Sequence, residues 1–489
     1  MNNDDVASNI QGFTNGITIS DSLNVSNSLN STGKITSNTH EFSGRVFVKT
    51  FGCSLNHSDS EVMIGLLEEH GFEVVSEYNE NKSNLDIESN DPRDFDLVII
   101  NTCTVKNLAE SKFFRELRNW QNFGVKIIVA GCIPQADPDL LNNKLKDVSV
   151  IGTRQLVHIV DIARDTLNGN VIHNIANDKN ERLNLPKSRK NGIIEILPIS
   201  EGCLSNCTYC KTKLARGNLL SYPKEKIIEQ FKTALSQGCK EFWLTSQDNG
   251  CYGFDIYRKE KYFLPELLND LCALEGDFRI RVGMANPDHI DRVKNELVQS
   301  FKNPKIFKFL HIPVQAGNDR VLKEMKRYYK ISEFKGIVDL FRREIPNISI
   351  STDIIVGFPT ETEKEFEDTL DLVRDIKFDV LNYSRFWLRK GTDAEKLKQL
   401  PSEIIKHRGE IIKKVFEEDL FSRNKQFVGL EFNNVLVDEL DYNGSCVIRP
   451  ENYKRIVLKD YKKHNLKLGD FVNVRIIGAE KFNLIAEII

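Results

Sequence analysis

The chain has 489 residues, 40% hydrophobic and 28% charged, an ordinary globular composition with length for about two to four domains. A net charge of -3 excludes a whole-molecule polycation, so any nucleic-acid contact must come from local basic patches. No run approaches the roughly 18 to 20 apolar residues of a membrane helix. The start, Met1-Asn2-Asn3-Asp4-Asp5, lacks the basic and apolar regions of a secretory signal. A cytoplasmic location with no membrane partner is expected, and there the ten cysteines serve as metal ligands or core residues rather than disulfide halves.

Residues 1–43 are rich in Ser, Asn, Thr and Gly and too poor in apolar surface to offset their ordering entropy, which predicts a disordered tail. Over 44–177, short apolar runs alternate with helical stretches: Val46-Phe47-Val48, Leu97-Val98-Ile99-Ile100 and Ile127-Ile128-Val129-Ala130, with helices over 60–70 and 112–122. That alternation predicts an open parallel α/β sheet. The acidic stretch 77–96 reads as a solvated insertion, and 178–191, with Arg182, Lys187, Arg189 and Lys190, as a basic linker. Over 192–424, six strand-like runs recur at 193–199, 241–245, 278–282, 307–311, 348–355 and 379–383. They predict a partial (βα)6 barrel of the TIM type. From 425 to 489 the pattern is all-β and suits a small OB-like barrel.

The sharpest chemical signal is Glu201-Gly202-Cys203-Leu204-Ser205-Asn206-Cys207-Thr208-Tyr209-Cys210, directly after the first barrel strand. Three thiolates on one loop can hold three irons of a [4Fe-4S] cube and leave the fourth iron open to S-adenosylmethionine (SAM). The competing reading is a zinc knuckle, although zinc sites close with four ligands. Cys53, Cys103 and Cys132 each follow an apolar strand run, where ligands of a parallel sheet gather. From spacing alone they are either a second three-cysteine cluster site or three separate core residues. Cys239, Cys272 and Cys446 form no local ligand pattern, and Cys251 lies in a loop beyond a barrel strand.

Together these residues resemble the methylthiotransferase family of radical SAM enzymes, from about Arg45 to the C-terminus. The likeness is to the archaeal and eukaryotic branch acting on N6-threonylcarbamoyladenosine beside the tRNA anticodon. It is carried by Asn101-Thr102-Cys103-Thr104-Val105-Lys106-Asn107, Gly131-Cys132-Ile133-Pro134-Gln135, Cys210-Lys211-Thr212-Lys213-Leu214-Ala215-Arg216-Gly217 and Leu244-Thr245-Ser246-Gln247-Asp248. The resemblance implies two [4Fe-4S] clusters, one held by Cys203, Cys207 and Cys210 and the other by Cys53, Cys103 and Cys132. It also implies SAM across the barrel top near Tyr209, Gln247, Asp248, Arg281, Gln315, Asp353 and Gly357, and a C-terminal RNA-binding TRAM domain.

One SAM molecule would supply methyl to sulfur at the N-terminal cluster, and a second would supply the radical that removes hydrogen from adenine C2. The implied partners are tRNA, a flavodoxin- or ferredoxin-like electron donor and a sulfur donor. Arg449, Lys454, Arg455, Lys459, Lys462 and Lys463, interleaved with Tyr453 and Tyr461, suit phosphate contact and base stacking. One stretch departs from the family's Pro-Arg-Pro-Gly-Thr-Pro: here it reads Trp387-Leu388-Arg389-Lys390-Gly391-Thr392-Asp393. The alternatives are a radical enzyme acting on another tRNA adenosine or on a protein, and an iron-sulfur RNA-binding protein without catalysis.

Overall fold

The computed structural model describes residues 44–76, 91–104, 107–178, 180, 182–440, 444–459 and 461–489. The expected N-terminal tail and most of the acidic insertion lie outside the described residues. Strands β1 (Arg45–Thr50), β2 (Glu73–Ser76), β3 (Leu97–Thr102), β4 (Lys126–Gly131), β5 (Ser149–Ile151) and β6 (His173–Asn174) form a wholly parallel sheet of order β2-β1-β3-β4-β5-β6. Every residue of β3 is buried. Helices cover both faces of the sheet, which is why its strands read as continuous apolar runs rather than alternating ones.

Helix Ser54–Glu69 packs between this sheet and the next body, and it is buried from Leu55 to Leu67 except at His57. Its polar residues Asn56, Ser58, Asp59, Ser60 and Glu61 are all buried, an arrangement stable only if each finds a partner. At Gly65 an added Cβ would lie 2.5 Å from the Pro186 carbonyl carbon. Only glycine lets the linker cross so closely.

The basic side chains of that linker are held in ion pairs. Lys187 Nζ lies 2.8 Å from Glu195 Oε1 and 3.2 Å from Glu61 Oε2, while Arg189 Nε pairs with Glu195 Oε2 at 2.5 Å. Its positive charges answer carboxylates buried between the two bodies.

Strands β7 (Ile194–Pro198), β10 (Glu241–Thr245) and β11 (Arg279–Val282) form one parallel three-stranded sheet, and β12 (Phe309–His311), β13 (Ser349–Val356) and β14 (Val380–Arg385) form another. A parallel bridge between Ile280 and Ile306 links the halves, giving the six-stranded open barrel expected from the pattern. Between β7 and β10, Ser200–Glu201 (β8) and Leu220–Ser221 (β9) pair antiparallel at the foot of the cysteine loop.

The C-terminal strands β15 (Glu431–Leu440), β16 (Cys446–Arg449), β17 (Ile456–Leu458), β18 (Phe471–Ala479) and β19 (Leu484–Ile488) close a barrel of order β15-β16-β17-β19-β18. It seats against the central barrel through Tyr453, whose ring packs on Phe307 and Phe309 with centroids 4.7 and 5.2 Å away. The Tyr453 hydroxyl donates to Glu241 Oε1 at 2.8 Å. Among the described residues no helix is long and apolar enough to cross a membrane.

Candidate functional site

Cys53, Cys103 and Cys132 stand at or just beyond the carboxyl ends of β1, β3 and β4, and the parallel sheet brings these ends together. Asn56 sits among them: its Oδ1 lies 3.5 Å from Cys53 Sγ and 3.9 Å from Cys132 Sγ. Its amide nitrogen donates to the Thr102 carbonyl at 2.6 Å, next to Cys103. A Cβ built on Gly52 would lie 2.8 Å from Cys103 Cβ, so the first loop passes directly against the second. Burial pushes the Cys132 thiol up to about 11.

The second group lies on one loop. The Ser205 amide donates to Cys203 Sγ at 3.3 Å, and Arg327 Nη1 to Cys207 Sγ at 3.5 Å. The Gln247 side chain accepts from the Gly202 amide at 2.7 Å, and the Lys213 ammonium grips the Cys203 carbonyl. Gly202 has φ +70, and a Cβ there would lie 2.1 Å from the Asn218 carbonyl oxygen, so no other residue fits the turn that launches the loop. Burial raises the Cys203 thiol to about 12 and also raises that of Cys210. Tyr209 is half-buried against the core, and burial beside Cys207 pushes its hydroxyl well above the usual range.

The donor sets fit clusters better than a single zinc ion. Zinc-thiolate bonds of about 2.3 Å would draw ligand atoms to within roughly 4 Å of one another. Among the described residues, however, the one set of three ligand atoms within 4.8 Å of one another is Asp248, Cys251 and His289. That set is already satisfied internally. Asp248 Oδ1 accepts the amides of Gly250 and Asn286 at 3.0 Å each, Oδ2 lies 2.5 Å from His289 Nδ1, and the Cys251 thiol donates to the Asp248 carbonyl at 3.1 Å. The wider-set cysteine triples suit a body the size of an iron-sulfur cube, which three thiolates would hold at three of its four irons.

A buried ionic bridge joins the two cysteine groups. Arg216 is 1% exposed, and its guanidinium lies 2.7 Å from Asp59 Oδ2 and 2.8 Å from Glu201 Oε1, with Asn56 Oδ1 at 3.5 Å. Arg182 pairs with the same two carboxylates. Arg216, Asn56, Arg327 and Asn286, whose amide holds the Ser205 hydroxyl at 2.9 Å, are site residues that the sequence pattern does not single out. Arg216 alone has a signal, since it stands in the family-like stretch from Cys210 to Gly217.

Several expected SAM contacts have other partners. Asp248 is fully occupied, as above. Arg281 lies within 5.4 Å of the ring centroids of Trp243, Phe309 and Tyr453, in the barrel floor against the C-terminal domain rather than at its mouth. The Gly357 amide caps Glu361 at 3.0 Å, and its φ of +76 reflects a turn packed on Ile405. Gln315 has φ +71 and bridges Ile354, while Asp353 holds His311 at 3.2 Å and Asn382 at 2.9 Å. Of this set, Gln247 and Tyr209 belong to the cluster loop's own surroundings.

The expected RNA track also divides. Arg449 pairs with Asp438 at 3.0 Å and Lys454 with Asp379 at 2.9 Å, and Tyr453 is the interdomain plug. Carboxylates of the domain seam hold these residues, so they are not part of an open phosphate-binding face. Arg455, Lys459, Lys462 and Lys463 remain exposed. Of the other cysteines, Cys239, Cys251, Cys272 and Cys446 are buried, and Cys239 lies just past the end of helix Lys224–Ser236.

Two family models match: the Radical SAM superfamily over 197–373, and Uncharacterized protein family UPF0004 over 45–152. A probable threonylcarbamoyladenosine tRNA methylthiotransferase of Pyrococcus horikoshii is 37% identical over 91% of this chain and 99% of its own. The threonylcarbamoyladenosine tRNA methylthiotransferases of Drosophila melanogaster and Homo sapiens are each 38% identical, over 91% and 89% of this chain and 78% and 72% of theirs. With relatives of that identity and coverage, the chain belongs to the threonylcarbamoyladenosine tRNA methylthiotransferase family.

Proposed function

We propose that this protein converts N6-threonylcarbamoyladenosine in tRNA to its 2-methylthio derivative. Cys203, Cys207 and Cys210 would hold the radical-generating [4Fe-4S] cluster, and Cys53, Cys103 and Cys132 a second, sulfur-donating one. The observation that carries the reading is the pair of three-thiol sites on separate domains, tied by the Arg216 bridge to Asp59 and Glu201. When bound, the clusters and SAM supply electron transfer, radical generation and methylthio donation.

The chain's own residues do the rest. Loading each cluster releases protons from the cysteine Sγ atoms. The Arg216 cation lies beside Cys132 and Cys53, and the Arg327 guanidinium donates to Cys207 Sγ at 3.5 Å, so positive charge stands against both sets of sulfurs. The Ser205 amide and the Gln247 side chain fix the loop around Cys203, and Cys103 and Cys132 are buried. Arg455, Lys459, Lys462 and Lys463 on the C-terminal barrel supply phosphate contacts. A flavodoxin- or ferredoxin-like electron donor and a sulfur donor complete the reaction, which belongs in the cytoplasm with tRNA.

The test is mass spectrometry of tRNA nucleosides from cells with and without the gene, paired with anaerobically reconstituted protein acting on tRNA. The 2-methylthio nucleoside should disappear with the gene and reappear in vitro. Unchanged tRNA would move the substrate elsewhere.

A further inference from the structure

At the mouth of the central barrel two aromatic rings face outward, and each is backed by a neighbouring ring that faces in. Tyr329 is buried, and its hydroxyl donates to the Val314 carbonyl at 2.7 Å; the adjoining Tyr328 is 69% exposed. Phe386 is buried edge-on against Phe358, with centroids 5.7 Å apart; the adjoining Trp387 is 55% exposed. In both pairs the inner ring anchors the backbone and fixes the outer ring in water. Leaving rings of this size solvated forgoes burial of their apolar area.

Both segments are fastened to the radical cluster loop. The Thr208 amide donates to the Met325 carbonyl at 3.1 Å, its hydroxyl to the Glu324 carbonyl at 3.0 Å, and its carbonyl accepts the Ala394 amide at 2.8 Å. Arg327, next to Tyr328, touches Cys207. Lys326 reaches Asp393 at 2.7 Å, joining the two segments to each other. Tyr328 and Trp387 therefore stand on segments tied to the loop that carries Cys203, Cys207 and Cys210.

We propose that Tyr328 and Trp387 are stacking platforms for the unpaired bases that flank the target adenosine in an RNA loop, an inference that rests on the tRNA reading above. Exposed aromatic planes interleaved with cations are what single-stranded RNA uses: every base has a face to stack, and the phosphates between bases need positive charge. Lys326, Lys330 and Lys390, all exposed, supply it. The surface ion pairs of Lys326 with Asp393 and Lys390 with Asp139 are of the weak kind, readily exchanged for phosphate. Trp387 stands in the stretch that departs from the family's proline-rich motif. The stretch lacks the motif's prolines and presents an exposed aromatic plane, Trp387, at its start.

The experiment is a fluorescence titration of the reconstituted full-length protein with an anticodon stem-loop RNA. Of the three tryptophans, Trp387 is exposed, Trp120 is buried and Trp243 is half-buried in the barrel, so stacking should quench Trp387 emission. Trp387→Ala and Tyr328→Ala should each weaken binding by about tenfold with the salt dependence unchanged, and Trp387→Phe should restore most of the affinity. Iron content and melting temperature equal to the parent's establish that the variants fold. Unchanged affinity in both Ala variants, or unquenched Trp387 on saturation, overturns the proposal and leaves the tRNA reading standing. Variants that bind RNA normally but are no longer reduced by a protein electron donor, while dithionite still reduces them, would assign the surface to that donor and overturn it equally. A parent that binds no RNA would overturn both readings together.

Discussion

Arg216 Nη1 lies 2.8 Å from Glu201 Oε1, in a place where both side chains are almost wholly cut off from water. Glu201 stands two residues before Cys203, and Arg216 six residues after Cys210. The other side of the same guanidinium holds Asp59, on the helix that begins just after Cys53. One cation thus sets the approach of two loops, each carrying a set of three cysteines.

Replacing Arg216 by Ala would strand Asp59 and Glu201 with Arg182 as their main compensation, a loss of about 3 to 5 kcal/mol for a broken buried pair. Chemical denaturation of the metal-free protein should show it, and Arg216→Lys should recover part of the loss. A change under about 1 kcal/mol, the level of an exposed pair, would mean that the bridge holds nothing together.

The pH dependence follows from Glu201. Burial alone would raise its carboxyl, but Arg182, Arg216 and Arg154 outweigh burial and hold it below its usual 4.5. A carboxyl lowered on folding contributes stability that is present above its unfolded value and lost as pH falls through its folded value. Stability should therefore drop on acidification below about pH 4.5, and Glu201→Gln should flatten that part of the profile while lowering stability at neutral pH. An identical acid profile for the two proteins would contradict the assignment.

What could be read from the sequence, and what could not, divides by the range of the interaction. Apolar runs such as 97–100 and 127–130 announce strands because burial on both faces leaves no room for polar residues, and the spacing of Cys203, Cys207 and Cys210 places three thiols on one loop whatever surrounds it. The Arg216–Asp59 pair spans 157 positions, and nothing local to either residue marks it. Pairing across strands, 11 positions apart for Arg449 and 75 and 212 for Lys454 and Tyr453, also explains the divided RNA track. Arg449, Tyr453 and Lys454 look like a basic-aromatic surface until Asp438, Glu241 and Asp379 arrive from strands or strand ends elsewhere. Arg281 follows the same division. Its strand is legible in the apolar pattern, whereas the Tyr453 ring that reaches its guanidinium from the C-terminal barrel, 5.3 Å away, is not.

Metal content checks the two cysteine sites separately. Anaerobic reconstitution should give about eight irons per chain, four for each cube, and Ala at Cys203, Cys207 and Cys210 should remove about half. Ala at Cys53, Cys103 and Cys132 should remove the other half and abolish the methylthio product, while SAM is still cleaved reductively at the remaining cluster. Full iron content in either triple variant, or stoichiometric zinc in the parent, would refute two cluster sites.

The divided basic run gives two classes of variant with opposite signatures. Arg455, Lys459, Lys462 and Lys463 lie on the exposed side of the C-terminal barrel, so neutralising them should weaken tRNA binding and flatten its dependence on salt by about 0.7 to 0.9 log units for each phosphate no longer neutralised. Tyr453→Phe acts elsewhere. It removes the donor that Glu241 Oε1 receives at 2.8 Å and leaves a wholly buried carboxylate with Trp243 Nε1 at 2.5 Å as its remaining close donor. Losing one of its two donors costs about 0.5 to 1.5 kcal/mol, so this variant should be less stable, with the salt slope of tRNA binding unchanged because every cation that meets a phosphate is still in place. Binding measured across a salt series, alongside denaturant unfolding, separates the two. If Tyr453→Phe lowers the affinity for tRNA at parental stability, the ring belongs to the RNA surface and not to the domain seam.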